Sequence, residues 1–160
     1  MEREEAEWVV QRHGQTVYRL AYARTGNRGD AEDVTQETFL RLVRAAPKFR
    51  DEDHCRAWLL RVAANCAQDL FRAPWRKRER PIEEAERVPA PGQVPEPGGV
   101  LEAVLSLPES YRLPVHLFYY EGYSTQEIAA LTGQRPGTVR SHLSRARVRL
   151  RGILEGENDG

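Results

Sequence analysis

Apolar residues in this chain recur every three or four positions in several blocks, and stretches without any such repeat separate them. In the first block, from about Glu5 to Arg24, Val10, Val17, Leu20 and Ala21 share one helical face, with Trp8 and Tyr18 beside it. Thr25-Gly26-Asn27 ends that block. A second runs from Asp30 to Ala46. Its inward positions are Ala31, Thr35, Thr38, Phe39, Leu42 and Val43, which leaves Glu32, Asp33, Gln36, Glu37, Leu40, Arg41 and Arg44 outside. Asp30 reads as the N-cap, with Glu32 and Asp33 near the positive end of the helix dipole, and Pro47 stops the helix. Lys48 to His54 has no period and reads as a polar loop. The third block, Arg56 to Arg72, carries Leu59, Ala63, Cys66, Ala67 and Leu70 at core spacing and Arg61, Asn65, Gln68, Asp69 and Arg72 on its other faces. Three such helices suffice to close a core of their own.

The pattern breaks from Ala73 to Gly99, where Pro74, Pro81, Pro89, Pro91, Pro95 and Pro97 alternate with glycines and charges. Too little of this stretch is apolar to pack, so it reads as a flexible linker, with the basic run Trp75 to Arg80 positioned to lie on nucleic acid. Periodicity resumes at Val100, Leu101, Val104, Leu105 and Leu107, and Tyr111 to Tyr120 predicts an aromatic-rich helix that Pro114 either begins or kinks. Ser124 with Glu127 forms a capping box ahead of a short helix bearing Ile128 and Leu131. Thr132-Gly133-Gln134 breaks it, and Pro136 suits the first turn of the next helix. There Val139, Leu143, Ala146 and Leu150 make one buried stripe. Helix, glycine turn, helix is a helix-turn-helix pattern. The fold class expected is therefore all-α, two small helical domains joined by a Pro/Gly-rich linker.

Composition adds little until its distribution is considered. The 160 residues hold 24 Lys plus Arg and 24 Asp plus Glu, so net charge carries no information about nucleic acid. Acid, however, gathers at Glu2 to Glu7 and Asp30 to Glu37, and base at Arg72 to Arg80 and Arg135 to Arg151, which predicts more than one partner. No apolar run approaches a membrane span, and the first residues resemble no signal peptide, so a cytoplasmic location without membrane insertion is expected. Cys55 and Cys66, if both helical, lie roughly 16 Å apart, too far for a disulfide. No Cys or His spacing suggests zinc, and neither a metal nor another cofactor is expected. His13 and His54 stand alone and read as surface or capping residues.

The last helix carries the clearest chemistry. Between Glu127 and Glu155 there is no acid, while Arg135, Arg140, Arg145, Arg147, Arg149 and Arg151 present one sign of charge. In a recognition helix the N-terminal residues meet base edges, which makes Arg140, Ser141, Ser144 and Arg145 the base-reading candidates, with Arg135 and Thr138 at its start. Arg147, Arg149 and Arg151 fall where phosphates run. A solvated Arg-rich face would show the same residues; the capped helix and turn before it favour DNA.

Three segments then carry a resemblance over nearly the whole chain: DAEDVTQETFLRLVRAAPKFR, RAWLLRVAANCAQDLFR and, after the Pro-rich gap, LPESYRLPVHLFYYEGYSTQEIAALTGQRPGTVRSHLSRARVRLR. In order and spacing they resemble a bacterial RNA polymerase sigma factor of the sigma-70 family, extracytoplasmic-function (ECF) group. The resemblance implies a region 2 domain at residues 1–73, a linker at 74–99 and a region 4 domain at 100–156. It implies that Asp30, Glu32, Asp33, Gln36, Glu37 and Leu40 dock on a coiled coil of the polymerase largest subunit, and that region 4 meets the flap. Arg50, His54, Trp58, Arg61, Asn65, Asp69 and Arg72 would open and read the −10 promoter element, Phe49 also serving as a wall for extruded bases, and the recognition helix would read the −35 element. An anti-sigma factor clamped between the domains is a further implied partner.

Two other readings compete. A helix-turn-helix regulator with an N-terminal sensing bundle would share the DNA-binding part but would have no use for the acidic helix. An enzyme would need a nucleophile elbow, a phosphate-cradling Gly loop or a clustered His/Asp/Ser set, and none occurs, so no catalytic activity is expected.

Overall fold

The structure, a computed structural model, describes residues 1–72 and 99–158, with side chains over 1–70 and 102–153; the linker expected at 74–99 lies outside the described residues apart from Gly99. The chain divides into two units, Met1–Val94 and Pro95–Gly160. Every regular element among the described residues is helical.

Unit one is a bundle of α1 (Arg3–Thr25), α2 (Arg28–Ala45) and α3 (Glu52–Arg72), each packed on the other two. Helix α1 ends where Gly26 takes φ 66° and returns its N–H to the Tyr22 carbonyl at 2.7 Å. Its buried stripe is Val9, His13, Val17, Leu20 and Ala21. Val10, expected in that stripe, is 43% exposed, and Trp8 is exposed too. The expectation failed because the stripe passes through a histidine: counting His13 as polar moves the apparent start from Val9 to Val10. His13 is thus a core residue and not a surface one, and burial lowers its pKa, with Arg12 and Arg56 acting in the same direction and Glu52 against.

That shift has a testable sign. A histidine whose folded pKa lies below its unfolded value takes up its proton more readily when unfolded, so the protein loses stability as pH falls below about 6.5. We expect His13→Gln to flatten the fall in melting temperature between about pH 7.5 and pH 5 relative to the parent chain; identical slopes would show that His13 does not contribute.

Helix α2 is capped by Asn27, whose side-chain oxygen accepts from the Asp30 N–H at 2.9 Å. Asp30, expected as the cap, instead sits within the first turn and is only 1% exposed. The inward stripe is Ala31, Val34, Thr38 and Leu42 with Phe39, and the Thr38 hydroxyl is satisfied by the Val34 carbonyl at 2.7 Å. Val34, on the opposite edge of this stripe from Val43, is buried, and Val43, expected inward, faces outward.

Helix α3 begins four residues earlier than its apolar pattern predicted. The Asp51 carboxylate accepts from the His54 N–H at 2.8 Å, so Glu52, Asp53 and His54 are a capped first turn and not a loop. Leu60 and Ala64 join the expected core residues, while Leu70 is only half-buried. Cys55 and Cys66 are buried free thiols, and burial pushes both pKa values up. Ion pairs tie the bundle at its surface: Arg12 of α1 donates to Glu52 at 2.8 Å, and Arg41 of α2 to Asp69 at 3.4 Å.

Unit two comprises α4 (Gly99–Leu105), α5 (Glu109–Val115), α6 (Thr125–Thr132) and α7 (Pro136–Asn158). Pro114 lies inside α5, which continues as a wide π-helical turn over His116–Tyr120, closed by the Glu121 N–H on the His116 carbonyl at 3.1 Å. Leu113, Val115, Leu117, Ile128, Leu131, Val139, Leu143 and Ala146 fill the core under α6 and α7. The capping box forms in both directions, Glu127 N–H to Ser124 Oγ at 3.1 Å and Ser124 N–H to Glu127 Oε1 at 3.0 Å. Gly133, at φ 72°, closes α6. Ser124→Ala should cost about 1 kcal/mol, read as a lower denaturant midpoint with an unchanged slope.

Candidate nucleic-acid interface

Helix α7 turns Val139, Leu143 and Ala146 into the core and leaves its opposite side to solvent. At about 100° per residue, Arg140, Ser144, Arg147 and Arg151 fall along one flank of the outer side, Thr138, Arg145 and Arg149 along the other, and half-buried Ser141 between them. Arg135, Thr138, Arg140, Ser144, Arg145, Arg147, Arg149 and Arg151 are all exposed, and those on α7 lie away from its buried side. Val148, 70% exposed, shares the middle line with Ser141, and the arginines beyond Arg145 stand on either side of it, where phosphates run along a recognition helix. The arginines differ in what holds them. Arg147 donates from Nε to the Tyr119 hydroxyl at 2.7 Å and lies 5.9 Å from the Phe118 ring centre; Arg149 lies 6.0 Å from that of Tyr111. His142, beside Tyr111 at 5.3 Å, has its pKa lowered by burial first and by Arg145 second, and so adds no charge near neutral pH.

In unit one, His54, Trp58, Arg61, Asn65, Asp69 and Arg72 follow one another at intervals of four, three, four, four and three, a single stripe along α3. Phe49 packs edge-on to both His54 (5.4 Å) and Trp58 (5.9 Å), and the Arg50 N–H donates to His54 Nδ1 at 3.1 Å. The segment before α3 is thereby folded onto its first turns, with half-buried aromatic rings next to exposed Arg50, Arg61 and Asn65. Asp69 belongs to the stripe but is engaged by Arg41. The Arg72 side chain lies outside the described residues.

The acidic face of α2 is only partly as expected. Asp30 is buried and has no surface with which to meet a partner, which removes it from the docking set. Glu32 is held by Arg28 at 2.8 Å, and Glu37 by Arg41 at 3.3 Å with Arg44 at 3.9 Å. Asp33, Gln36 and Leu40 are exposed, and Val43, expected to face inward, extends this strip. Its signal was available: Val43 stands three residues after Leu40 and seven after Gln36, the spacing of one helical face.

Two helical units, the second ending in a cationic helix-turn-helix, define a DNA-binding protein class, and comparison with known proteins narrows it. Residues 9–77 match the family model of sigma-70 region 2 and residues 99–150 that of sigma-70 region 4. The chain is 41% identical over 155 residues to the ECF RNA polymerase sigma factor SigE of Mycolicibacterium smegmatis, covering 91% of this chain and 60% of that protein's length. It is 32% identical over 143 residues to the ECF RNA polymerase sigma factor EcfG of Rhodopseudomonas palustris, covering 84% and 77% of the two. Among solved structures it is similar in fold to the sigma factor RpoE in complex with the anti-sigma factor NepR from Bartonella quintana, with TM-score 0.67, 22% identity and 95% and 98% of the chains covered. For CnrH in complex with the cytosolic domain of CnrY, the TM-score is 0.64, the identity 28% and the coverage 97% and 90%. The chain belongs to the sigma-70 family of RNA polymerase sigma factors, in the ECF group.

Proposed function

We propose that this chain binds core RNA polymerase and directs it to promoters, reading a −35 element with α7 and opening a −10 element with α3 and the segment before it. The observation that carries this is the cationic outer side of α7, held on a capped helix and glycine turn, in one chain with a bundle that matches region 2. Residues 1–73 form the polymerase-binding and melting domain, 74–99 the linker, and 100–156 the −35 domain. Arg135, Thr138, Arg140, Ser141, Ser144, Arg145, Arg147 and Arg149 face the −35 duplex. Arg50, His54, Trp58, Arg61, Asn65, Asp69 and Arg72 lie along melted DNA, where rings stack on bases and guanidinium groups neutralise phosphate. The docking strip on the polymerase largest subunit is Asp33, Gln36, Leu40 and Val43, with Glu32 and Glu37 supporting it through their arginine pairs. Unit two meets the polymerase flap.

The role is that of an initiation factor and not of an enzyme, and it is carried out in the cytoplasm; among the described residues no helix is long and apolar enough to cross a membrane. An anti-sigma factor is a third partner, as the complexes formed by RpoE with NepR and by CnrH with CnrY suggest. The test is assembly: the chain should co-elute with core polymerase, and the complex, not either part alone, should make thymines in a promoter reactive to permanganate. Thymine reactivity without core would refute it.

A further inference from the structure

We propose that Tyr119 is a positioning residue for DNA binding, its hydroxyl presetting the Arg147 guanidinium against the phosphate backbone; this rests on the reading of α7 as the −35 helix. Tyr119 and Arg147 are 28 residues apart in sequence and meet because the π-helical turn over His116–Tyr120 brings Phe118 and Tyr119 to one flank of α7. The bond from Arg147 Nε to the Tyr119 hydroxyl is 2.7 Å long, and the Phe118 ring lies 5.9 Å from the same guanidinium and 4.9 Å from the Tyr119 ring. Tyr119 is itself 55% exposed, so its ring contributes little to the core and its hydroxyl has no need of a protein partner. Only one of the five guanidinium N–H groups is used, which leaves the two terminal amino groups for a phosphate oxygen. An unrestrained arginine loses rotamer freedom when it binds, whereas one already fixed on two aromatic neighbours loses less. Arg147 lies on the same flank as Arg140, about two turns further along, where phosphates and not base edges are within reach.

The prediction follows from the chemistry of the pair. Tyr119→Phe keeps the ring and every charge but removes the acceptor, so it should weaken duplex binding about two- to tenfold, alike on preferred and scrambled sequences. Arg147→Ala should weaken binding further and lower the salt slope by about one. Once Arg147 is alanine, Tyr119→Phe should have no further effect, which distinguishes positioning from a general role in folding. The measurement is titration of a labelled −35 duplex with the full chain on core polymerase, for the parent, both single variants and the double variant. A Tyr119→Phe change that is silent, or that costs as much in the Arg147→Ala background as in the parent, would overturn the inference. Arg147→Ala without effect would overturn it too, while the α7 reading would still stand on Arg140. Failure of the parent complex to bind any duplex would refute the α7 reading itself, and the inference with it.

Discussion

Replacing Leu40 by Arg should detach this chain from core polymerase while leaving its fold intact. Leu40 is 42% exposed in the middle of α2, with Val43 exposed next to it and Asp33 and Gln36 on the turns before. An apolar pair within a polar rim is the arrangement in which one buried side chain dominates an interface, and such anchors cost at least about 2 kcal/mol when lost, roughly thirtyfold in affinity. A guanidinium in place of the isobutyl group would also have to be desolvated in the complex. Charge reversal at Glu37 is the weaker experiment, since an arginine there would face Arg41 and Arg44 and disturb the helix itself. Titration of labelled chain with core polymerase, with the far-ultraviolet melting curve as control, is expected to give a loss of at least about thirtyfold in affinity with a melting shift of only a few degrees. Unchanged affinity would remove the α2 strip from the docking site.

Arg140→Ala should flatten sequence discrimination, whereas Arg151→Ala should weaken binding to all sequences alike. Arg140 stands in the second turn of α7, the part of a recognition helix that meets base edges, and Arg151 lies about three turns beyond it on the same flank. We expect Arg140→Ala to cost roughly 1 to 3 kcal/mol on the preferred −35 duplex and much less on a scrambled one. Arg151→Ala should cost the same on both and reduce the salt slope by about one. Arg151 is a better probe of phosphate contact than Arg149, whose guanidinium also lies over Tyr111, so that its removal changes packing as well as charge. Equal losses on both duplexes for Arg140→Ala would assign base reading to Arg145.

How far these sites could be read from the sequence varied with the kind of signal. The helix-turn-helix was legible because its markers are local: a Ser124/Glu127 box, Gly133 in the left-handed region and Pro136 at the next helix start each act through neighbouring backbone. The charge of α7 was legible for the same reason, since one helix carries it all. What the sequence hid was choice between neighbours. Val9 and Val10 both fall within or at the edge of the arc of Val17, Leu20 and Ala21, while Val34 and Val43 lie on opposite edges of the stripe of Ala31, Thr38 and Leu42, and the decision fell to partners in other helices and to His13 being admitted to the core. Asp30, whose residue type suits a cap, is not one because Asn27, three residues earlier, does that work. Asp51 began α3 where three charged residues suggested a loop. The contact between Tyr119 and Arg147 had no sequence signal at all, because it depends on a widened turn that shifts the register of the aromatic run.

Transcription in vitro from a library of DNA fragments, with core polymerase and this chain as the only specificity factor, tests the central claim most directly. The account predicts transcripts that depend on the chain, whose start sites share two upstream elements at fixed spacing, and whose yield falls with Leu40→Arg on every template and with Arg140→Ala mainly on those with the best −35 match. Transcripts that appear equally without the chain, or start sites that share no common element, would contradict it.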